Sequence, residues 1–204
     1  MKWENDMKIY LIRHGETDWN LHGRFQGRED IELNETGIKQ AEVCGKALNN
    51  IDCKAIITSP LKRAEKTAQI VARYAEVERF IVDEKLIERD FGKISGLTPQ
   101  QREAFYASQE DALFEPIDEL KARMMQCIHR YAEEFYPDDI IMVSHGASIN
   151  AALAEVSHGV IGTGVTRLKN TCINVIEYDK KILSISSFNQ TAEEFIANME
   201  RLPL

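Results

Sequence analysis

Six short apolar runs punctuate the chain, at 8–13, 54–59, 80–83, 139–144, 172–178 and 182–188. The first and fourth, KIYLIR and DIIMVS, are nearly continuous in Ile, Leu, Val and Met, the composition of strands buried on both faces. Between the runs, apolar residues recur at threes and fours. Asn34 is placed to cap a helix over 35–49, and Ala64, Ala68, Val71 and Ala75 form a stripe over 61–76. Pro116 stands at a first helical position, and Ile117, Leu120, Met124, Ile128, Tyr131 and Phe135 carry the next stripe until Pro137 stops it. A further helix is expected over 147–156, with Gly159 just past its end and His158 beside the helix terminus. Strands alternating with helices predict βαβ units. The expected fold is a single domain over 1–204, a three-layer α/β/α sandwich whose mostly parallel sheet ends in an antiparallel edge hairpin at YDKK. Residues 1–7 read as a flexible leader.

In such sheets ligands bind outside the carboxyl ends of the strands. Three strand ends here carry polar groups: Arg13-His14 after the first run, Ser59 after the second, and Ser144-His145-Gly146 after the fourth. Arg13 offers a permanently charged donor fork that matches phosphate oxygens, and His14 can attack only as a neutral imidazole, which neighbouring cations favour. Gly15 is expected to let a ligand approach the backbone. Arg63 falls in the first turn of a helix, where a cation is mildly unfavourable, so a bound anion is expected there, served by the guanidinium and free backbone N–H groups. Glu88 and Asp90 offer a carboxylic acid to protonate a departing alkoxide. His22 and His129 read as incidental.

Composition narrows the partners. A chain of 204 residues with 44% hydrophobic content buries a full core without disulfides, so its four cysteines read as reduced thiols in a cytoplasmic protein. No metal-ligand spacing occurs, so no metal or cofactor is expected. A net charge of -8 argues against a nucleic-acid surface, and no apolar stretch reaches the length of a membrane span. Screening over ~8 Å still permits a local basic pocket for a small phosphorylated substrate. Oligomeric state stays open, a homodimer being one option.

Taken together, RHGET (13–17) with Asn20, RFQG (24–27), LNETGIKQA (33–41), SPLKRAEKTA (59–68), ERDFG (88–92), VSHGASI (143–149) and Asn170 before INVIEYD resemble the histidine phosphatase superfamily, the phosphoglycerate mutase-like group. The resemblance implies that His14 becomes a phosphohistidine, that Arg13, Arg63 and His145 surround the phosphoryl oxygens, and that Glu88 is the proton donor. It further implies that Asn20, Gln26, Gly27 and Ser59 line the substrate side. Metal-independent phosphomonoester hydrolysis is the expected activity. A cofactor-dependent phosphoglycerate mutase is the alternative, and a non-catalytic module for phosphorylated ligands a second.

Two features favour the phosphatase. Asp90 and Phe91 replace the His and Tyr usual in mutases, and 97–120 carries Glu103, Glu110, Asp111, Glu115, Asp118 and Glu119 against Arg102 where mutases have a basic insertion. That acidic segment is expected to form a lid that disfavours polyanionic substrates. Ile94 and Ser95 replace the Trp-Glu pair common in phosphatases.

Overall fold

The structure, a computed structural model, describes residues 7–180 and 182–201. In chain order the elements are β1 (Met7–Arg13), α1 (Asp18–Leu21), α2 (Glu35–Ala47), β2 (Cys53–Thr58), α3 (Lys62–Tyr74), β3 (Arg79–Val82), α4 (Pro99–Ala107), α5 (Ile117–Phe135), β4 (Asp139–Ser144), α6 (Gly146–Val156), β5 (Ile173–Asp179), β6 (Ile182–Gln190) and α7 (Ala192–Arg201). Two 3-10 turns, Glu84–Leu86 and Gly92–Ile94, lie between β3 and α4.

All six apolar runs are strands, in the sheet order β3-β2-β4-β1-β5-β6. β3, β2, β4 and β1 run parallel, β5 is antiparallel to β1, and β6 closes the edge as the second arm of the hairpin. The second lysine of its YDKK turn lies outside the described residues. Met7, grouped in the sequence reading with the leader, is the first residue of β1 and fully buried, because it pairs with Tyr178 of β5. Residues 1–6 lie outside the described residues.

Alternate side chains of β1 explain the continuous apolar run. Ile9 and Leu11 pack with Leu120, Met124 and Ile128 of α5 and Leu153 of α6. Tyr10 and Ile12 face the other way, with Cys44 of α2, Val71 of α3 and Phe195 of α7. Each such residue contributes about 1.5–3 kcal/mol through burial, so the three layers are held from both faces of one strand. Pro116 caps α5 instead of entering it, and Asn34 caps α2 through a 2.8 Å bond accepted from Gly37 N–H.

Three helices escaped the periodicity reading. α1 has four residues; α4 buries none of its nine and rests on its Thr98-Gln101 capping box and on Pro99. α7 lies beyond the last strand and docks Phe195 edge-on against Tyr10, with ring centroids 6.0 Å apart.

Candidate active site

Sheet register brings three strand ends level. Arg13 of β1 pairs with Ser144 of β4, and Val143 of β4 pairs with both Ile12 and Thr58. The next residues leave the sheet side by side: His14 N–H donates to Ser144 O at 3.0 Å and Ser59 N–H to Val143 O at 3.0 Å. The ring centroids of His14 and His145 consequently lie 5.1 Å apart.

The neighbours fix the proton positions on both rings. His14 Nδ1 is 2.6 Å from the carbonyl of Gly15, which can only accept, so Nδ1 carries the hydrogen and Nε2 keeps its lone pair. His145 is arranged the opposite way. Its Nδ1 accepts from Arg63 Nε–H at 3.2 Å, so the proton sits on Nε2 and is donated to Ser59 Oγ at 2.7 Å. Burial, then the charge of Arg63, holds both imidazoles well below the ordinary histidine pKa; Arg13 adds to the effect at each.

Arg63 is wholly buried and fixed on three sides: Nε reaches His145, Nη1 the Glu29 carbonyl at 2.6 Å, and Nη2 the Gly27 carbonyl at 2.7 Å. Of the free N–H groups expected at its helix start, two are taken by the protein itself: Lys62 N–H donates to Asp30 at 2.7 Å and Ala64 N–H to Leu61 O at 2.8 Å. The start of α6 meets a carboxylate as well, that of Glu88. There the Glu88 carboxylate accepts from Ala147 N–H (3.1 Å), Ser148 N–H (3.0 Å) and Ser148 Oγ–H (3.0 Å). Glu88 also accepts from Arg89 N–H at 2.8 Å and is 7% exposed. Asp90, the other acidic candidate, instead accepts from Gly92 N–H at 2.7 Å within the turn that follows.

Arg123 of α5 went unnoticed in the sequence because it lies on a helix remote from every motif. It donates to the carbonyls of Lys85 (2.7 Å), Ile87 (2.7 Å) and Glu88 (3.2 Å) and forks onto Glu115 at 2.6 and 3.0 Å, tying the loop that bears Glu88 to α5.

Of the remaining expected residues, Arg13 donates through Nη1 to Leu168 O at 2.6 Å, while its buried Nε has no partner among the described residues. Asn20 lines the adjoining cleft, and its Oδ1 accepts from Thr17 and from Asn170 Nδ2 at 3.3 Å. Asn170 also donates to His14 O at 3.1 Å. Gln26 is buried and receives Thr17 Oγ–H at 3.1 Å, so it braces the loop and is absent from the cleft wall. Gly27 serves through its carbonyl, and Ser59 through His145.

Gly15 is corrected. A Cβ there would sit 2.5 Å from Gly37 O, and one on Gly37 would sit 2.1 Å from Glu16 O, so the pair lets the loop after β1 close onto α2. Gly15 N–H is taken by Thr67 Oγ at 3.0 Å, a residue of the SPLKRAEKTA stretch to which the sequence assigned no role. His22 is exposed, His129 packs its ring against Tyr178, and His158 is exposed after α6. Burial pushes the Cys44 thiol up to about 12 and that of Cys172 up to about 11.

A cleft of ≈ 670 Å³ opens beside Arg13, Gly146 and Ala147. The expected acidic lid is not part of it. Glu110 pairs with Lys93 at 3.5 Å, Glu115 with Arg123, and Glu103, Asp111, Asp118 and Glu119 are exposed; Pro99 and Arg102 are what that segment contributes to the wall. No group of three or more His, Cys, Asp or Glu could hold a metal, and no helix is long and apolar enough to cross a membrane, among the described residues.

Residues 9–191 match the model of the histidine phosphatase superfamily, branch 1. The chain belongs to that superfamily. It is 36% identical over 181 residues to an uncharacterized phosphatase, PhoE, of Bacillus subtilis (strain 168), covering 89% of this chain and 93% of that protein. It is 30% identical to a metal-independent phosphoserine phosphatase of Arabidopsis thaliana, covering 94% and 87%. Among solved structures, phosphoserine phosphatase of Entamoeba histolytica in complex with 3-phosphoglyceric acid superposes with a TM-score of 0.77 at 28% identity, covering 93% of this chain and 99% of that one. Phosphoglycerate mutase of Bacillus anthracis shares the fold with a TM-score of 0.83 at 21% identity, covering 97% and 98%.

Proposed function

We propose that His14 is the nucleophile of a metal-independent phosphomonoester hydrolase acting on small phosphorylated metabolites. As a histidine-type phosphatase, the protein splits phosphoester hydrolysis into two displacements. Nε2 of His14 attacks phosphorus, forming an N–P bond as the P–O bond to the alcohol breaks, and the Glu88 carboxyl delivers a proton to the departing oxygen. Water then attacks the phosphohistidine, Glu88 accepts its proton, and the N–P bond breaks to release phosphate and restore His14.

The observation that carries the reading is the Nδ1–H to Gly15 O bond, which leaves the Nε2 lone pair free on a buried neutral histidine that feels the charges of Arg63 and Arg13. Arg13, with its unpartnered Nε, and Arg63 supply fixed positive charge where phosphoryl oxygens gain charge in the transition state. His145 acts in this scheme by orienting Arg63 and Ser59, both of its ring nitrogens being engaged.

Phosphorus NMR of the protein with 3-phosphoglycerate and a trace of 2,3-bisphosphoglycerate tests the reading, beside His14→Ala. Free phosphate that vanishes in the variant supports it. Formation of the 2-phospho isomer faster than phosphate would make the protein a mutase, and phosphate release unchanged by the variant would remove His14 as nucleophile.

A further inference from the structure

A catalytic imidazole that becomes cationic is commonly backed at its other nitrogen by a carboxylate, which holds the tautomer and offsets the developing charge. His14 has no such partner among the described residues. Its Nδ1–H is given to the Gly15 carbonyl at 2.6 Å, and the charges it feels are those of Arg63 and Arg13, both cations. Attack on phosphorus leaves the ring bonded through Nε2 and still protonated at Nδ1, so positive charge grows on it beside two guanidinium groups. A neutral peptide oxygen has to carry what a carboxylate carries elsewhere.

The peptide that supplies this oxygen is itself hydrogen-bonded at its other end. Gly15 O and Glu16 N–H belong to one amide, and Glu16 N–H donates to Gln40 Oε1 of α2 at 2.9 Å. An amide whose N–H is donated holds more negative charge on its oxygen and accepts more strongly. A continuous chain therefore runs from the ring to a side-chain acceptor: His14 Nδ1–H to Gly15 O, then Glu16 N–H to Gln40 Oε1. The place of the amide does not depend on Gln40 alone. Asn34 N–H donates to Glu16 O at 3.0 Å, Asn34 Nδ2 donates to Glu16 Oε1 at 3.0 Å, and Gly37 packs against Glu16. What Gln40 adds is an acceptor at the end of the chain. It is half-buried and absent from the cleft wall, bordering instead a separate groove with Thr36, Val43 and Asn170. Whatever it does for His14 passes through the amide.

We infer that Gln40 is a positioning residue for the nucleophile: it polarises the Gly15–Glu16 amide, and through it fixes the His14 tautomer and supports the charge the ring gains on taking the phosphoryl group. The inference rests on the phosphatase reading above and extends it to a residue outside the cleft.

Two substitutions separate the acceptor from the bulk of the side chain. Gln40→Met keeps the length and removes the acceptor, and Gln40→Glu keeps an acceptor and adds charge to it. The Nδ1 proton of His14, held in a short bond, gives a low-field proton NMR signal that is assigned by its loss in His14→Ala. That signal should move upfield in Gln40→Met and downfield in Gln40→Glu. The kcat/KM for p-nitrophenyl phosphate reports transfer to His14, because nitrophenolate departs in that step. It should fall about threefold to tenfold in Gln40→Met and stay at or above the unaltered value in Gln40→Glu. Inhibition by orthophosphate, gripped by Arg13 and Arg63, should be the same in all three proteins. A kcat/KM unchanged in Gln40→Met, or equally reduced in both variants, would overturn the inference. So would an unmoved Nδ1 proton, or orthophosphate binding that weakens in step with kcat/KM, since Gln40 would then only brace the loop. Release of phosphate from no ester by the unaltered protein would instead count against the phosphatase reading, and the proton signal alone would decide whether the chain of bonds operates.

Discussion

Arg63 Nε and His145 Nδ1 lie 3.2 Å apart, both wholly buried, in a hydrogen bond that settles the tautomer of the histidine and the plane of the guanidinium at once. Lysine in place of Arg63 keeps the charge but cannot reach His145, Gly27 O and Glu29 O together. Arg63→Lys should therefore lower kcat/KM by about 10²–10³-fold, the scale of losing one fixed donor to a developing oxyanion. Steady-state kinetics with circular dichroism as a folding control would check this, and a loss below fivefold would contradict it.

The depressed pKa values of His14 and His145 have a consequence for stability. In the unfolded chain both take up a proton near pH 6.5, whereas the folded protein keeps them neutral to lower pH. Below 6.5 the unfolded state thus binds more protons, and stability falls as pH falls, by about 1.4 kcal/mol per pH unit for each histidine. In a proton NMR titration of the folded protein, two of the five histidines should show no titration between pH 7.5 and 5.5. If all five titrate there, the neutral-nucleophile account fails.

Glu88 should matter in proportion to how poorly the alcohol leaves. Glu88→Gln is expected to slow hydrolysis of an alkyl phosphate by about 10²–10⁴-fold and that of p-nitrophenyl phosphate far less, because nitrophenolate departs without a proton. Equal losses on both substrates would count against Glu88 as the acid.

Arg123→Met removes the donors that hold the carbonyls of Lys85, Ile87 and Glu88. A positioning role predicts the same leaving-group dependence as Glu88→Gln in weaker form, partly rescued in Arg123→Lys. A purely structural role would lower the melting temperature and reduce both substrates alike.

Gly37→Ala tests the closure of the loop after β1. The added methyl would meet Glu16 O at 2.1 Å, a backbone atom that cannot swing aside. Unfolding in urea should show a loss of about 1–3 kcal/mol, despite the better helix propensity of alanine, and an unchanged midpoint would refute the packing role.

The chain by itself determined the layers and the edge at which the candidate residues gather. Continuous apolar runs such as KIYLIR marked strands covered on both faces, period-3.6 stripes marked α3 and α5, the Asn34 cap marked α2, and the strand-end rule grouped Arg13, His14, Ser59 and His145, since these signals are local. Only the tertiary structure decided what depends on contacts across the sequence. Which nitrogen of each histidine holds its proton follows from Gly15 O and Arg63; that the Glu88 carboxylate, named in the sequence by resemblance, rests on the start of α6 while its backbone is held by Arg123 follows from contacts with α6 and α5. The acidic count of 97–120 misled for the same reason: charge is a sum over a segment, but a pocket feels only the side chains that face it, and here the one that does is Arg102.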